Sequence, residues 1–344
     1  MTISAGVLAA TVVPVAALLD RLIGDPMNWP HPVVVMGWCI NRLRRWLEGW
    51  AGASPWRLRW AGGLITLLLV IGSGISGWWL EQFALGRWEP GGSAAQSLAQ
   101  FLLVVGLASA LAGRSLEQAV RAVMKPLEAN DLPKARQRLQ WIVGRDTANL
   151  DAAEIQRAAA ETAAENGVDG LFAPLFWMIA GAMLWQVEAT CPGPLSLAWS
   201  FKAASTLDSM LGYRNGPLRW LGTAGARLDD LMVWLPCRLV MLTLPLVSQP
   251  CSRWWDLVNA AERDGAPDPS PNAGRAEAIY AHCAGMRLGG RNRYGDHWVE
   301  KPVLASTYPA ADAAGIERIL VFHRRLELVW LLPTAALLLI HCAQ

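Results

Sequence analysis

Residues 61–80 read AGGLITLLLVIGSGISGWWL, an uncharged run as long as the ~20 residues that an α-helix needs to cross a bilayer. The rest of the chain has the same bias: of 344 residues, 53% are hydrophobic, only 17% are charged, and 19 are Trp. Further apolar runs approach this length at about 3–19, 96–112, 171–187, 231–247 and 328–342. We therefore expect an all-α, polytopic membrane protein with about four to six membrane-embedded helices, although a short run can also be a buried core helix or a re-entrant helix.

The distribution of cations predicts the orientation, because cytoplasmic loops carry an excess of Lys and Arg. No Lys or Arg precedes the first apolar run, whereas Arg21, Arg42, Arg44 and Arg45 follow it. The N-terminus is therefore expected outside and the segment after the first run inside. The expected organisation is a single integral-membrane domain (1–344), with cytoplasmic segments at 21–60 and 113–170 and a loop-rich, cytoplasmic segment at 248–327.

Beyond residue 170 the charge pattern leaves two arrangements open. If 171–187 and 231–247 each cross once, the cations of 188–230 lie outside, against the rule. Either 171–187 is re-entrant, or 194–211 helps to return the chain. Arg238 adds to the ambiguity, because a charge at the middle of a bilayer costs ~3 kcal/mol.

An amphipathic helix is predicted between the first two apolar runs. Five residues of 33–50 share one helical face: Met36, Ile40, Leu43, Leu47 and Trp50. Arg42 and Arg45 lie opposite, so the segment is interpreted as an interfacial helix at the cytoplasmic surface.

Several function classes are not indicated. The net charge is only +2 and the basic residues are dispersed, which does not favour nucleic-acid binding. The six Cys residues lack the paired spacing of zinc or disulfide frameworks, and the five His residues show no metal-ligand repeat.

Residues 144–170, GRDTANLDAAEIQRAAAETAAENGVDG, form an acidic helical segment within this apolar chain. Asp151 and Glu154 have the spacing of a capping box. At ~100° per residue, Arg157, Glu161 and Glu165 lie on nearly the same side, and the two acids lie beyond the first turn. Capping therefore does not explain Glu161 and Glu165.

Polar residues are concentrated in four islands, at 18–37, 144–170, 201–236 and 270–302. The first contains residues that favour a turn, so a structural turn and a functional site are equally favoured there. In the third, Asp229 and Asp230 could hold Mg²⁺, although Arg227 and Asp230 also have the spacing of a helical ion pair. In the fourth, Gly289-Gly290 is either a turn or a backbone able to approach a phosphate closely. No P-loop motif is present.

Short blocks within these islands resemble the adenosylcobinamide-phosphate synthase family of cobalamin biosynthesis. In order they are LLDRLIGDP with HPV, AGRSL, WIVGRDTANLD, ETAAENGVDGLFAPLF, KAASTLDSMLGY, ARLDD, SPNAG, LGGRNRY and VEKP. Each block is individually weak, but the ordered set covers roughly half of the chain and is specific.

The resemblance implies a multi-pass enzyme of the bacterial inner membrane whose active site faces the cytoplasm. It implies an ATP-dependent ligase that condenses adenosylcobyric acid with (R)-1-amino-2-propanol O-phosphate, or ethanolamine phosphate, to give adenosylcobinamide phosphate. Mg²⁺, the lipid bilayer and other late cobalamin-assembly enzymes are the implied partners, together with ATP and the adenosylated corrinoid as substrates.

The chain departs from the family pattern at two places. Gly167 stands where a larger polar residue is usual, which could alter how Asn166 is held. Arg275-Ala276 replaces an aromatic residue followed by Pro, which alters a loop. Neither departure removes an ionisable residue from the pattern.

The hypothesis assigns roles to residues of all four islands, and places the islands at a common site. Glu165 is the preferred general base, since desolvation can bring the pKa of a carboxylate to a value useful for proton transfer. The catalytic candidates are Glu165, Glu161, Asp169 and Lys202; the substrate- and phosphate-binding candidates are Arg145, Asp146, Asn166, Arg227, Asn272, Gly289, Gly290, Asn292, Tyr294 and His31; the Mg²⁺ candidates are Asp208, Asp229, Asp230 and Asp25.

Two other functions are weighed against the ligase. A membrane transporter would also place charges among apolar helices, but it should show two corresponding halves, and no such symmetry is found. A non-catalytic membrane scaffold for corrin-assembly enzymes would not need carboxylates and cations grouped in islands.

Overall fold

The computed structural model describes residues 5–25, 31–87, 92–213, 216–248, 251–294 and 297–343. These residues are mainly helical, which confirms the all-α class. The helices are α1 (Ala5–Ile23), α2 (Pro32–Ala51), α3 (Pro55–Ala84), α4 (Gly92–Ala108), α5 (Gly113–Glu128), α6 (Leu132–Leu139), α7 (Ala152–Gly167), α8 (Ala173–Val187), α9 (Pro194–Leu211), α10 (Leu218–Leu221), α11 (Thr223–Ser248), α12 (Trp254–Gly265), α13 (Ala273–Ala284) and α14 (Ala313–Ala343). An antiparallel hairpin, β1 (Leu288–Tyr294) and β2 (His297–Leu304), interrupts them.

Within the part of the chain that the structure describes, five helical segments are long and apolar enough to cross a membrane, as in a polytopic membrane protein. They are Gly6–Ile23, Pro55–Ala84, Ser93–Glu128, Ala152–Val187 and Thr223–Ser248. On α3, the Leu67, Ile71 and Ile75 side chains are exposed. Contact with lipid rather than water explains such an apolar surface.

The chain forms two compact units. Unit 1 consists of 1–112, 173–232 and 330–344, and unit 2 consists of 113–172 and 233–329. Both α11 and α14 contribute residues to each unit. Each unit has its own core and its own group of ionisable residues.

The core of unit 1 is built around α3, which packs along α9 and also contacts α2, α4 and α10. Glycines allow the close approach: a Cβ at Gly77 would lie 2.9 Å from the Ser196 backbone. The Glu81 carboxylate of α3 is fully buried and accepts hydrogen bonds from the N–H groups of Gly193, Leu195 and Ser196 at 2.9, 2.6 and 3.0 Å. It thereby satisfies backbone donors at the start of α9, where a negative charge also suits the helix dipole.

The predicted amphipathic helix is α2, and most of its apolar face is buried. Met36, Ile40 and Leu47 pack into the core formed with α3 and α9. Trp50 is different, because it is 61% exposed. It lies about 60° from Leu47 around the helix, at the edge of the buried stripe, so the shared apolar face is only partly buried.

In unit 2, α7 packs against α5, α6 and α13, and the hairpin packs against α7, α12 and α13. Residues 248–327, expected to be rich in loops, hold two helices, the hairpin and the start of α14. The turn-rich stretch is short and is itself ordered by hydrogen bonds: Asp268 Oδ1 accepts from the Ser270 N–H at 2.8 Å, and Ser270 Oγ accepts from the Ala273 N–H at 3.1 Å.

Arg238, the charge within an apolar run, has specific partners in unit 2. Its guanidinium donates to Asn272 Oδ1 at 2.7 Å and to the Pro271 carbonyl at 2.9 Å, and it lies 4.9 Å from the Trp234 ring centroid. Charges in membrane helices are tolerated when they are paired in this way.

Candidate functional site

The N-terminus of α7 carries the predicted capping box. Asp151 Oδ1 accepts from the Glu154 N–H at 2.8 Å, and Glu154 Oε2 accepts from the Asp151 N–H at 2.9 Å. This reciprocal pair satisfies two donors of the first turn. The structural interpretation of Glu154 is therefore confirmed, and the other acids of α7 have different partners.

Glu161 joins the second polar island to the fourth. Its Oε1 accepts from the Gly289 N–H at 2.9 Å and from Arg157 Nη1 at 3.1 Å, and its Oε2 pairs with Arg145. Arg145 and Arg157 both also donate to Asn292 Oδ1. A single buried carboxylate thus receives two guanidinium groups and one backbone donor. We call Arg145, Arg157, Glu161, Gly289 and Asn292 the Glu161 network.

The Gly289-Gly290 pair of β1 lies at a bulge of the hairpin, whose extra residue is Pro302 of β2, in a backbone conformation that only glycine accommodates readily. The φ angles are 78° and 94°, in the left-handed region, and the strand register shifts between the two residues. A Cβ at Gly289 would lie 1.9 Å from the Pro302 carbonyl oxygen, whereas a Cβ at Gly290 would meet nothing within 4 Å. Gly289 is therefore required for packing against β2, whereas Gly290 leaves its own backbone accessible to a ligand.

An open cavity of about 400 Å³ lies beside this bulge. Three cations line it, Arg157, Arg287 and Arg291, and the acids Asp151 and Glu154 lie at the same cavity. Arg291 is supported by the Trp298 ring, with its guanidinium carbon 4.2 Å from the ring centroid. Guanidinium groups next to exposed backbone suit a small phosphate-bearing molecule.

A second group of charges surrounds Lys301. Its Nζ lies 3.0 Å from Glu277 Oε1 and 3.9 Å from Asp268 Oδ2, and it interacts electrostatically with Glu165. Glu165 in turn interacts with Asp268, Glu161 and Arg145. We call Lys301, Glu165, Asp268 and Glu277 the Lys301 group. The single ammonium group of Lys301 therefore interacts with three carboxylates.

This imbalance shifts the titration of the Lys301 group. Burial is the main reason that the pKa of Glu277 is raised to about 8; Lys301 opposes the shift, while the charges of Glu161 and Glu165 add to it. Burial alone would lower the pKa of Lys301, but the attraction of Glu277 and Glu165 outweighs burial and raises it. Lys301 stays charged, and the carboxyl groups around it compete for protons.

The other candidates of unit 2 lie in varied surroundings. Asp146 Oδ1 accepts from the Ala148 N–H at 2.9 Å, and Asn272 is buried against Arg238. Asn166 is exposed at the end of α7. Asp169 lies on a π-helical turn, Val168–Phe172, a feature frequent at functional sites. Tyr294 ends β1, and its side chain lies outside the described part of the chain.

Three predicted Mg²⁺ ligands of unit 1 come together. Asp208 of α9 and Asp229 and Asp230 of α11 repel one another electrostatically, and Lys202 attracts Asp229. Asp229 Oδ1 is buried and has no hydrogen-bond partner among the described residues. An orphaned carboxylate oxygen beside further carboxylates fits Mg²⁺, which needs only one or two protein carboxylates when phosphate oxygens complete its shell.

The remaining candidates of unit 1 are more dispersed. Arg227 is exposed on α11. His31 caps α2: its Nδ1 accepts from the Val33 N–H at 3.3 Å, so the proton belongs on Nε2, which donates to Asp25 Oδ1 at 3.2 Å. Within the described ranges, no group of three or more His, Cys, Asp and Glu side chains is arranged to hold a metal ion by itself. A Mg²⁺ site here would thus depend on ligands from a substrate.

Comparison with known proteins identifies the family. The family model described as CobD/Cbib protein matches residues 13–322. The chain belongs to the CobD/CbiB family. It is 41% identical over 325 residues to the cobalamin biosynthesis protein CobD of Synechocystis sp., covering 94% of this chain and 90% of that protein. It is 35% identical over 331 residues to the cobalamin biosynthesis protein CbiB of Salmonella typhimurium, covering 96% of each. No solved structure matches the chain.

Membership of the CobD/CbiB family assigns the chain to cobalamin biosynthesis. It also gives context to residues that sequence reasoning missed. The helical pattern places Arg157 only on a shared face, and Asp268, Glu277 and Lys301 are not among the residues that the sequence predicts for the site. The one available signal was Lys301 in the VEKP block; nothing local links it to Glu277, 24 positions away in sequence.

Both departures from the family pattern have a structural setting in this CobD/CbiB chain. A Cβ at Gly167 would lie 2.3 Å from His323 Nε2, so the imidazole occupies the space of a larger side chain. Arg275 forms two hydrogen bonds to the Glu262 carboxylate, at 2.8 and 2.6 Å, and donates to the Pro271 carbonyl at 3.0 Å. These hydrogen bonds hold the start of α13 against α12.

Proposed function

We propose that the chain is the ATP-dependent amide ligase that condenses adenosylcobyric acid with (R)-1-amino-2-propanol O-phosphate, or ethanolamine phosphate, to give adenosylcobinamide phosphate. The observation that carries the proposal is the convergence, within unit 2, of an arginine-lined cavity, a glycine bulge and the Lys301 group. The relatives named for cobalamin biosynthesis supply the pathway.

The amino-alcohol phosphate is assigned to the cavity beside the bulge. Its phosphate would be bound by Arg157, Arg287 and Arg291, together with the open backbone at Gly290. The Glu161 network holds Arg157 and the Gly289 backbone in fixed positions, so it prepares this cavity before the substrate arrives. Such preorganisation is how remote contacts contribute to rate.

The chemical problem is that a carboxylate is a poor electrophile and an alkyl amine is protonated at neutral pH. ATP solves the first part: its γ-phosphoryl group moves to the carboxylate oxygen of the corrinoid, and ADP leaves. The amine nitrogen then attacks the carbonyl carbon, the bond from that carbon to the phosphate-bearing oxygen breaks, and inorganic phosphate departs. A base must take the proton that the amine loses.

Glu165 is the proposed base. Glu165 interacts electrostatically with Lys301, Asp268 and Glu161. A proton that it takes from the amine therefore enters a group of carboxylates that already compete for protons. Lys301 binds Glu277 and balances part of the negative charge. A general base of this kind contributes typically ~10²–10⁴-fold to rate.

Mg²⁺ would be held by Asp208, Asp229 and Asp230 of unit 1, with Lys202 as a further phosphate-binding cation. When bound, the metal ion supplies positive charge to phosphate oxygens. The residues fit because Asp229 Oδ1 is buried without a hydrogen-bond partner in the described part of the chain. We propose that the enzyme lies in the bacterial inner membrane with its site facing the cytoplasm, which supplies ATP, and that it meets other late cobalamin-assembly enzymes there.

The test is mass spectrometry of products. The detergent-purified chain is incubated with adenosylcobyric acid, aminopropanol phosphate, ATP and Mg²⁺, with matched reactions that lack ATP or the amine. We expect a product at the mass of the condensed amide, together with one ADP per amide, only in the complete reaction. A chain that binds the corrinoid but makes no product and releases no ADP would contradict the ligase and favour a scaffold.

A further inference from the structure

The outward face of α2 in unit 1 is not used by the proposed reaction. Opposite the buried Met36, Ile40 and Leu47, the helix exposes Val34, Trp38 and Trp46, at 69%, 64% and 73% of their surface. Side chains of this size are rarely exposed together on a helix that faces water. The face therefore needs a partner with apolar character.

Two arginines lie within the same face. At ~100° per residue, Trp38, Arg42, Arg45 and Trp46 fall within about 100° of one another. Arg44, on the flank, is paired with Glu48 at 2.9 Å. Arg42 and Arg45 are exposed and have no carboxylate partner among residues 5–25, 31–87 and the other described ranges. The partner therefore also needs negative charge.

A cavity of about 420 Å³ lies at this position. It is lined by Arg42, Leu43, Arg45 and Trp46, so it combines two guanidinium groups with an aromatic ring and an aliphatic side chain. Arg45 Nε also donates to the Asn41 carbonyl at 3.3 Å, which fixes the stem of that side chain. The cavity presents cations at one end of an apolar helical face.

We propose that this cavity binds the phosphodiester headgroup of an anionic phospholipid, with the acyl chains along Val34 and Trp38. The location supports this occupant, because α2 leads directly into the membrane-spanning α3, which begins at Pro55. Guanidinium groups match phosphate oxygens bidentately, and Trp is enriched at membrane interfaces. Two uncompensated arginines select a lipid with net negative charge over a zwitterionic one, whose own ammonium cancels the attraction.

Native mass spectrometry of the full chain in detergent, with equal amounts of phosphatidylglycerol and phosphatidylcholine added, tests the proposal. We expect the wild-type protein to retain phosphatidylglycerol preferentially, and the variant R42Q/R45Q to lose that preference by roughly fivefold per arginine. R42K/R45K keeps the charge but loses the bidentate geometry, so an intermediate preference is expected. The matched control is K134Q/R138Q, which removes two exposed cations from α6 of unit 2 and should bind as the wild type does.

Three results would overturn the proposal. The first is an unchanged preference in R42Q/R45Q, and the second is an equal loss in K134Q/R138Q, which would show only the effect of net charge. The third is complete displacement of phosphatidylglycerol by inorganic phosphate, which would make the cavity a site for a free phosphate. Because both glutamine replacements are on the exposed face, folding should persist, and a monodisperse size-exclusion peak verifies it.

Discussion

The Glu161 network and the Lys301 group are neighbouring sets of charges in unit 2, but their charge balance is opposite. In the first, one carboxylate has two guanidinium groups and a backbone N–H. In the second, one ammonium has three carboxylates. A buried ion with an excess of partners is fixed in place, whereas a group with excess negative charge can accept a proton or a cationic ligand. We infer that the first set positions the site and that the second performs proton transfer.

The largest expected effect is the loss of turnover in Glu165→Gln. The amide keeps the shape of the side chain but cannot take a proton, so the rate of amide formation should fall at least ~100-fold. Corrinoid binding, measured by equilibrium titration, should stay within about twofold because the charge pairs of Glu161 are untouched. Normal turnover would remove Glu165 from the mechanism.

Glu161→Ala should affect the fold as well as the reaction. It leaves the buried Arg145 and the half-buried Arg157 without their carboxylate, a change that typically costs about 3–5 kcal/mol. The midpoint of denaturant unfolding should therefore fall, and activity should fall with it because the Gly289 backbone loses its acceptor.

The matched control is Glu154→Gln on the same helix. Gln at this position still accepts from the Asp151 N–H, so the capping box is kept and only the negative charge in the first turn is lost, at a cost of about 0.3–1 kcal/mol. If both variants were equally stable, the Glu161 network would not be an anchor, and the contrast with the Lys301 group would fail.

The pH dependence of stability sharpens the contrast further. The pKa of Glu277 is raised from 4.5 to about 8, so the folded chain binds more protons than the unfolded chain between these pH values. Stability should then decrease as the pH rises through this window. Thermal unfolding between pH 5 and 8.5 should show the decrease in the wild type, and Glu277→Gln should flatten it.

Glu262→Gln is the control for this dependence. Its hydrogen bonds from Arg275 hold the pKa of Glu262 below the usual value, so Glu262 titrates at a lower pH than the window in which Glu277 titrates. The variant should lose a small, constant amount of stability and keep the wild-type slope. A steep slope that persisted in Glu277→Gln would assign the excess protons to another group.

Local patterns predicted the elements of this fold, and they could not predict its long-range pairs. The apolar helices long enough to cross a membrane and the Asp151–Glu154 capping box are set by residues within a few turns of each other, so the sequence predicts them. The contact of Glu161 with Gly289 spans 128 positions and depends on how α7 meets the hairpin. The ordered sequence blocks predict that Glu161 and Gly289 both belong to the site. Only the packing shows that the Glu161 carboxylate accepts a hydrogen bond from the Gly289 N–H.

The smallest expected effect comes from Gly290→Ala, which tests whether the cavity is the phosphate site. The added Cβ meets no atom within 4 Å, so its cost is the backbone strain at φ 94°, about 1–3 kcal/mol. We expect the KM for the amino-alcohol phosphate to rise several-fold, because the methyl group and the strained backbone disturb the open face, while the KM for ATP stays constant. Gly63→Ala, also in open space but in a helix, should change neither value. A parallel rise in both KM values would mean that the bulge affects the fold generally, and the phosphate would have to be assigned elsewhere.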